Sequence, residues 1–240
     1  MKNGGTELLN PGAIERKSFE IIAEELERRR GVKTPSSPPR GPLEEAVLMR
    51  VIHTTADFDY DENLVFTHNA AAAGRDLLRS GAWVVTDTRM AMAGINKDAL
   101  AEYGGAVRCF ISDDDVAAAA RAEGVTRARA AVDKAASLNR PLVFAVGNAP
   151  TALLRIYELV SSGKLAAKLV IAVPVGFVNV ESAKELFLDS PVPCIIARGR
   201  KGGSAVGAAI VNALLYATLR DSAQPCLTRP QDWSKLITGR

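Results

Sequence analysis

The chain has 240 residues, which is enough to bury the core of one large domain. Its 48% hydrophobic and 24% charged residues are the balance of an ordinary globular protein, and a net charge of +3 is too small to predict binding to nucleic acid or to an anionic membrane. The three cysteines show no CxxC spacing, which argues against a zinc site and favours reduced thiols. The N-terminal region lacks a signal-peptide core, and no apolar run reaches the ~20 residues that span a bilayer, so we expect a cytoplasmic protein.

The first predicted element is a helix from Ile14 to Arg30. Apolar residues recur on one of its faces, charged residues fill the other, and Gly31 is expected to end it. Residues 31–42 contain four prolines, which exclude a helix or a central strand. This stretch is a connector or a loop that covers part of the molecule, and its sequence is compatible with both.

A second predicted helix leads into a histidine. Apolar residues at Leu43, Val47 and Val51 follow a 3.6-residue period, which places His53 at or near the helix C-terminus. The partial negative charge of a helix end favours the protonated imidazole, so from an ordinary pKa of about 6.5 we expect a proton donor usable at neutral pH. The alternative is a core histidine that caps its own helix and has no chemical role, and position alone favours this alternative.

From residue 83 onward, short apolar runs alternate with longer helical stretches. The runs are continuous in apolar residues, as expected of strands covered on both faces. Five strands are predicted: Trp83–Thr86, Ala106–Ile111, Leu142–Val146, Leu169–Val173 and Cys194–Ala197. The predicted helices are Asp113–Ala122, Arg127–Leu138, Thr151–Ser161, Glu181–Leu188 and Ser204–Leu219. This order predicts a single α/β domain over 1–240: a three-layer α/β/α sandwich with a mostly parallel, doubly wound sheet, N-terminal helices and a C-terminal extension at 221–240.

Ligands of such sheets bind at the carboxyl ends of the strands. The loops expected there are Thr86–Asn96, Gly147–Thr151, Pro174–Val178 and Gly199–Ser204, and each is rich in Gly, Pro, Asn or Ser. These residue types let backbone approach a ligand or cap a helix.

The Gly199–Ser204 loop carries two cations, Arg200 and Lys201, where a helix is expected to begin. Exposed amides, the positive end of the helix dipole and the basic side chains together favour an anion. The alternative is a strand–helix turn with ordinary capping. The residue order matches neither a Walker loop nor G-x-G-x-x-G, so a nucleotide is the less favoured anion.

The remaining candidates have simpler alternatives. Asp87 is more readily interpreted as a helix cap than as a ligand contact, and turn chemistry alone explains Gly147–Thr151. Arg127 can form a bidentate pair with a carboxylate, although a solvated surface arginine is the default. His68 precedes a run of alanines and is interpreted as structural or exposed.

No Ser-His-Asp or Cys-His arrangement is recognisable, and no histidine–carboxylate cluster has metal spacing. What the residues offer is one candidate acid, several cations suited to carboxylates, and glycine-rich loops. This set suits an isomerase or a binding module better than a hydrolase or a metalloenzyme.

Taken together, these stretches resemble the precorrin-8X methylmutase family of corrin (vitamin B12) biosynthesis, from about Ile14 to Ala217. The blocks that carry the resemblance are Lys17–Phe19, Arg50–His53, Asp87–Met90, Gly94–Lys97, Thr126–Arg127, Gly147–Leu153, Pro174–Val178 and Gly199–Ser204. The His53–Asp59 block, with Gly94–Lys97 and Gly199–Ser204, is most similar to the cobalt-precorrin-8 branch, the anaerobic route.

The resemblance implies an isomerase that moves a methyl group between adjacent carbons of pyrrole ring C, giving cobyrinic or hydrogenobyrinic acid without an external cofactor or a protein-bound metal. His53 matches the histidine thought to be the family's proton donor. Family members are homodimers, and Arg127 is expected to reach a site formed with the partner subunit. The residues expected to bind the carboxylate-fringed tetrapyrrole are Ser18, Asp87, Ile95, Lys97, Arg127, Asn148, Thr151, Arg200, Gly202, Gly203 and Ser204.

Two other functions are compatible with the residues. A non-catalytic corrinoid carrier on the same scaffold would use the same anion-binding loops. A nucleotide-dependent oxidoreductase on a doubly wound sheet is the weaker hypothesis, because the phosphate-binding fingerprint is missing.

Overall fold

A computed structural model describes residues 11–32 and 39–221 of the chain. The strands are β1 (Leu64–Phe66), β2 (Trp83–Thr86), β3 (Val107–Arg108), β4 (Leu142–Val146), β5 (Ala167–Ala172) and β6 (Cys194–Ala197). The first six helices are α1 (Pro11–Val32), α2 (Pro42–Thr55), α3 (Tyr60–Asn63), α4 (Ala70–Arg79), α5 (Arg89–Gly94) and α6 (Lys97–Ala101). The later helices are α7 (Asp114–Glu123), α8 (Arg127–Ala136), α9 (Pro150–Ser161), α10 (Val180–Glu185) and α11 (Ser204–Asp221).

The strands form one sheet in the order β1-β6-β5-β4-β2-β3. Five of them are parallel, and only β1 runs antiparallel, beside β6. The chain passes from β2 out to β3 and then returns to the other side of β2 for β4, so the direction of winding changes between β2 and β4. The mostly parallel, doubly wound α/β sheet predicted from the sequence is therefore confirmed, with one strand more than expected.

Each face of the sheet is covered by its own layer of helices. In the central strand β4, Val143 and Ala145 pack with α1, α2, α4 and α11. The alternate side chains, Leu142, Phe144 and Val146, pack with α7, α8, α9 and α10. All five β4 residues are buried, which is why this strand reads as an unbroken apolar run.

The differences from the sequence-based elements lie at short or half-exposed segments. Strand β1 has three residues and was not predicted, and β3 has two residues where six were expected. Helices α3 to α6 were not predicted either; α4 is the run of alanines after His68. Helix α1 continues one residue past Gly31, so the expected stop at this glycine was wrong.

Some of the predicted features lie beyond the described residues. The proline-rich connector is described only at its two ends, and most of the predicted extension at 221–240 lies outside the described residues. Among the helices that the structure describes, none is long and apolar enough to cross a membrane.

Candidate active site

Four loops meet at the carboxyl edge of the parallel strands, as predicted. The Thr88 and Ser204 hydroxyls are 2.7 Å apart, which joins the loop after β2 to the start of α11. The Gly203 amide donates to the Val173 carbonyl oxygen at 2.8 Å, and the Gly176 amide donates to the Arg200 carbonyl oxygen at 3.1 Å. The loops after β2, β5 and β6 are therefore held as one surface.

Asp87 connects this surface to the loop after β4. One of its carboxylate oxygens accepts from the Gly147 amide at 2.9 Å, and the other accepts from the Asn148 and Ala149 amides at 2.8 and 2.6 Å. The side chain is buried, and this burial raises the pKa of Asp87 even though the three amide bonds act in the opposite direction. Asp87 thus holds the turn that precedes α9, whereas the helix after β2 is capped by the Thr88 side chain. The interpretation of Asp87 as a helix cap therefore differs from its observed role.

A glycine is required where the loops after β4 and β6 touch. A Cβ atom added at Gly147 would lie 2.7 Å from the Ser204 Cα, which is closer than carbon atoms approach without displacement of the backbone. Gly202 has φ of 158°, in the region that favours glycine, and a Cβ there would collide with the Val173 carbonyl group. The glycines of these turns therefore allow the backbones of neighbouring loops to approach each other closely.

A buried lysine supports the Gly199–Ser204 loop from beneath. The Lys184 side chain, on α10, is fully buried, and its ammonium group donates to the carbonyl oxygens of Gly199 and Lys201, both at 2.8 Å. Burial lowers the pKa of Lys184 to about 8, with Glu181 and Glu185 opposing the shift. The carbonyl groups of Gly199 and Lys201 therefore point toward the protein interior, where they accept these hydrogen bonds.

An ion cluster ties the same loop to the end of α2. The Lys201 ammonium group lies 2.6 Å from a carboxylate oxygen of Asp57 and 2.6 Å from one of Asp59. These hydrogen bonds raise the pKa of Lys201 and, together with the Asp59 amide, hold that of Asp57 below its ordinary value against the effect of its burial. Lys201 is therefore already paired, whereas Arg200 is exposed and contacts Glu181 at 3.3 Å and the Phe177 ring.

His53 lies in the last turn of α2, as predicted. Its side chain is exposed to solvent, but the ring stacks on Phe19 of α1 with 4.8 Å between centroids and 26° between planes. Desolvation by this packing and the nearby Arg50 cation lower the pKa of His53, and Glu15 opposes them. The expectation that the helix end would favour the protonated form is therefore wrong in direction, because desolvation against α1 and the positive charge of Arg50 on α2 both disfavour the imidazolium.

Within the described part of the chain, no hydrogen bond or ring contact joins the imidazole to the glycine-rich loops. The connection between them is the short segment after α2, which carries Asp57 and Asp59 to Lys201. Ser18 precedes Phe19 on α1, and its hydroxyl donates to the Ile14 carbonyl oxygen at 2.9 Å. The structure thus gathers the predicted residues into two groups, one around α2 and one around the carboxyl edge.

The other predicted residues differ in accessibility. The Ile95 side chain is buried in the core, so a ligand can reach only its backbone. Lys97, Arg127 and Asn148 are exposed, and Thr151 is half-buried with its hydroxyl accepting from Thr126 at 2.9 Å. Arg127 begins α8 in the helical layer opposite to that of α2, so it and His53 lie on different faces of the sheet.

Three large apolar side chains near these loops were not singled out from the sequence. Met90, Phe177 and Val178 are 71%, 79% and 76% exposed. Phe177 and Val178 adjoin the Gly199–Ser204 loop, and Met90 begins α5. The sequence signal for Phe177 and Val178 is the Pro174–Val178 block, in which hydrophobic residues occupy a predicted loop. Exposed apolar groups at a cation-rich edge suit a large ligand with both apolar faces and carboxylates.

Within 11–32 and 39–221, no three His, Cys, Asp or Glu side chains lie close enough together to hold a metal ion. The carboxyl edge thus presents loop amides and the cations Lys97, Arg200 and Lys201, and the imidazole of His53 lies in the group around α2.

Comparison with known proteins decides among the functions that such a surface permits. Residues 13–217 match the model of the precorrin-8X methylmutase family. This chain is a member of that family. The resemblance drawn from the sequence blocks is thereby confirmed, and the enzyme class of the methylmutases is isomerase.

Individual methylmutases are similar to this chain over most of their length. The cobalt-precorrin-8 methylmutase of Salmonella typhimurium is 47% identical over 207 residues, which are 86% of this chain and 95% of that protein. The cobalt-precorrin-8 methylmutase of Priestia megaterium is 40% identical, covering 86% of this chain and 88% of that one. A crystal structure of a precorrin-8X methyl mutase from Thermus thermophilus matches with a TM-score of 0.76 at 36% identity, over 89% of this chain and 99% of that one.

We expect Asp87→Asn to lower the free energy of unfolding by about 2–3 kcal/mol, because an amide nitrogen would then face backbone donors that now share a carboxylate. Urea unfolding monitored by circular dichroism measures this change. Asp98→Asn, an exposed site on α6, is the control and should change stability by less than about 0.5 kcal/mol. Equal stabilities of the two variants would contradict the role given to Asp87.

We expect the stability of the wild type to rise between pH of about 8 and about 10 relative to that of Lys184→Met. The folded-state pKa of about 8 lies below the ordinary value of about 10.4, so in this window the unfolded chain binds more protons and stability increases with pH. Urea unfolding at several pH values measures the difference. Lys168→Met, at an exposed position, should run parallel to the wild type. A parallel profile for Lys184→Met would show that Lys184 titrates normally.

Proposed function

We propose that this chain catalyses methyl migration on ring C of cobalt-precorrin-8, or of precorrin-8X, to give cobyrinic or hydrogenobyrinic acid, and that His53 is the proton donor. The observation that carries the proposal is the family match over 13–217, which includes both helix α2, with His53 in its last turn, and the basic Gly199–Ser204 loop. The similarity to proteins named cobalt-precorrin-8 methylmutase at 47% and 40% identity favours the cobalt-containing substrate.

The histidine is suited to donating a proton to a bound macrocycle. An imidazolium with a pKa below its ordinary value is a stronger acid than free histidine, and its exposed ring is accessible to a ligand. Protonation of the tetrapyrrole increases the electron demand at the carbon that receives the methyl group, and a positioned acid supplies roughly 10²–10⁴-fold in rate. The carboxylates of the substrate also bring negative charge near His53, which restores the protonated form in the complex.

The substrate would be held by charge at its periphery. A corrin precursor carries acetate and propionate carboxylates around an apolar ring. Lys97, Arg127 and Arg200 are exposed cations, and the Gly202 and Ser204 amides lie at the start of α11, where the helix dipole favours anions. The exposed Phe177 and Val178 offer apolar surface for the ring itself. Holding a reactive substrate in one conformation would supply the remaining acceleration.

A homodimer explains how His53 and Arg127 can serve one substrate. In a single copy the two side chains lie on different faces of the sheet, and His53 is open to solvent. A two-fold assembly in which Arg127 of one copy approaches His53 of the other would bring acid and cation together. A cytoplasmic location is part of the proposal and is supported by two free cysteines, Cys109 and Cys194.

A non-catalytic corrinoid carrier is the second candidate, because the exposed cations and apolar loop residues suit ligand binding without chemistry. Incubation with the precursor separates the two functions: a carrier returns the precursor unchanged, whereas a mutase changes its absorption spectrum. The oxidoreductase hypothesis loses support, because Asp87 occupies the amides at the β2–β4 change of direction, where a doubly wound fold would bind a dinucleotide phosphate.

For the catalytic histidine, we expect His53→Ala to lower turnover by about 10²-fold or more while cobyrinic acid still binds, because the variant loses the acid and keeps the cations. Turnover is followed by the spectral change and binding by calorimetry. His68→Asn is the matched control, since His68 has a φ of 49° that asparagine tolerates and its ring contacts the Ser190 carbonyl group away from the site. Wild-type turnover in His53→Ala would refute the assignment.

For the shared site, we expect Arg127→Ala to weaken substrate binding by about 2–5 kcal/mol if the ion pair is buried in the complex. Mixing this variant with His53→Ala should restore about a quarter of wild-type activity at subsaturating substrate, since half of randomly formed dimers are mixed and each mixed dimer has one intact site. Arg121→Ala, an exposed change on α7, should behave as wild type. No recovery in the mixture would place both residues in the site of one subunit.

A further inference from the structure

A second layer of charge lies behind the candidate proton donor. Arg50 stands three residues before His53 on α2, and its guanidinium group is 5.1 Å from the centroid of the Phe19 ring and 5.4 Å from that of Tyr216 on α11. The same Phe19 ring stacks on His53 at 4.8 Å. Imidazole and guanidinium therefore contact one aromatic side chain.

This guanidinium group is poorly compensated. Its side chain is 12% exposed, and one nitrogen donates to Glu15 on α1 at 2.9 Å. The Nε and Nη2 atoms are buried and have no hydrogen-bond partner within the described residues. Buried donors without partners are costly, and Glu15 is the one carboxylate among the described residues that balances this cation. No solvent reaches these two atoms, so a ligand cannot bind there, and their effect must be exerted on the neighbouring groups.

Among the residues that the structure describes, Arg50 and Glu15 are the charges that act on the imidazole. Helix α1 contributes Glu15, α2 contributes Arg50, and α11 contributes Tyr216, which faces Arg50. Asp57 and Asp59, which follow α2, are neutralised by Lys201. The balance of charge beside the imidazole therefore rests on one cation and one carboxylate that are joined to each other.

We propose that Glu15 and Arg50 are positioning residues for the methylmutase reaction: the pair holds Phe19 against His53 and sets how readily the imidazole releases its proton. The inference rests on the proposed role of His53 and extends it to two residues that do not touch the substrate. The direction of each contribution follows from charge: Arg50 disfavours the imidazolium, and Glu15 favours it and partly cancels Arg50.

The test is a proton NMR titration of the two histidine C2–H signals in the full-length protein, with His68→Asn to assign them. Glu15→Gln should move the His53 midpoint to lower pH, because the favourable carboxylate is lost and Arg50 is left uncompensated. Arg50→Met should move it to higher pH. In the dependence of kcat on pH, the limb that reports the ionisation of His53 should shift in the same directions. Glu15→Gln should also lower kcat several-fold at neutral pH, with little change in KM.

Glu20→Gln is the matched control. Glu20 is on the same helix, and its carboxylate pairs with Lys17 at 3.3 Å. In Glu20→Gln, the His53 midpoint and kcat should equal those of the wild type. A His53 midpoint in Glu15→Gln that coincides with that of Glu20→Gln would overturn the inference. If Arg50→Met fails to fold because a buried charge has been removed, Glu15→Gln still decides the question, since Glu15 is 28% exposed and tolerates an isosteric amide.

The titration separates this inference from the proposed function. If His53→Ala turns substrate over at the wild-type rate while Glu15→Gln still shifts the midpoint, the role of His53 as proton donor fails and the charge coupling stands. An unshifted midpoint refutes the coupling even when His53→Ala is inactive.

Discussion

The shape of the candidate site depends on one buried carboxylate. Asp87 follows the end of β2, and its carboxylate accepts hydrogen bonds from three backbone amides in the turn before α9. These hydrogen bonds cross the point where the winding of the sheet changes direction. In doubly wound folds this crevice usually receives the phosphate of a cofactor, because convergent amides favour an anion. Here the chain supplies its own anion. The carboxylate therefore connects the loop after β2 to the loop after β4, and the proposed ligand surface is the cation-rich region around them.

Charges on this surface are divided between those that hold the loops and those that remain available. Lys184 and Lys201 are both engaged by protein atoms, one by carbonyl groups beneath the Gly199–Ser204 loop and the other by two aspartates. Arg127 and Lys97 are exposed at the loop ends. Under the proposed function, a polyanionic tetrapyrrole would meet a preformed backbone and adaptable side chains, which is the arrangement expected when binding must fix a large ligand without rebuilding the protein.

Sequence reasoning reached the features that depend on local pattern and missed those that depend on distant contacts. Strands β2, β4 and β6 were predicted with the observed bounds because continuous burial leaves an unbroken apolar run. Strand β1 is three residues long and pairs at an edge, so it leaves no such run. His53 was placed correctly in the last turn of α2, but the direction of its pKa shift was not. A helix end contributes only about 0.3–1 kcal/mol, whereas desolvation against Phe19 of α1 and the charge of Arg50 on α2 both lower the pKa. Periodicity carries no information about which ring stacks on which.

The short antiparallel strand has a mechanical consequence. Helix α2 passes through α3 directly into β1, which pairs with β6 from Leu64 opposite Ala197, and the Arg198 amide donates to the Asn63 carbonyl oxygen at 2.8 Å. Strand β6 then opens into the basic loop. Helix α2, which carries His53, and the Gly199–Ser204 loop are consequently attached to adjacent strands of one sheet, so their relative alignment is established when the chain folds. In the proposed reaction this alignment would cost no reorganisation.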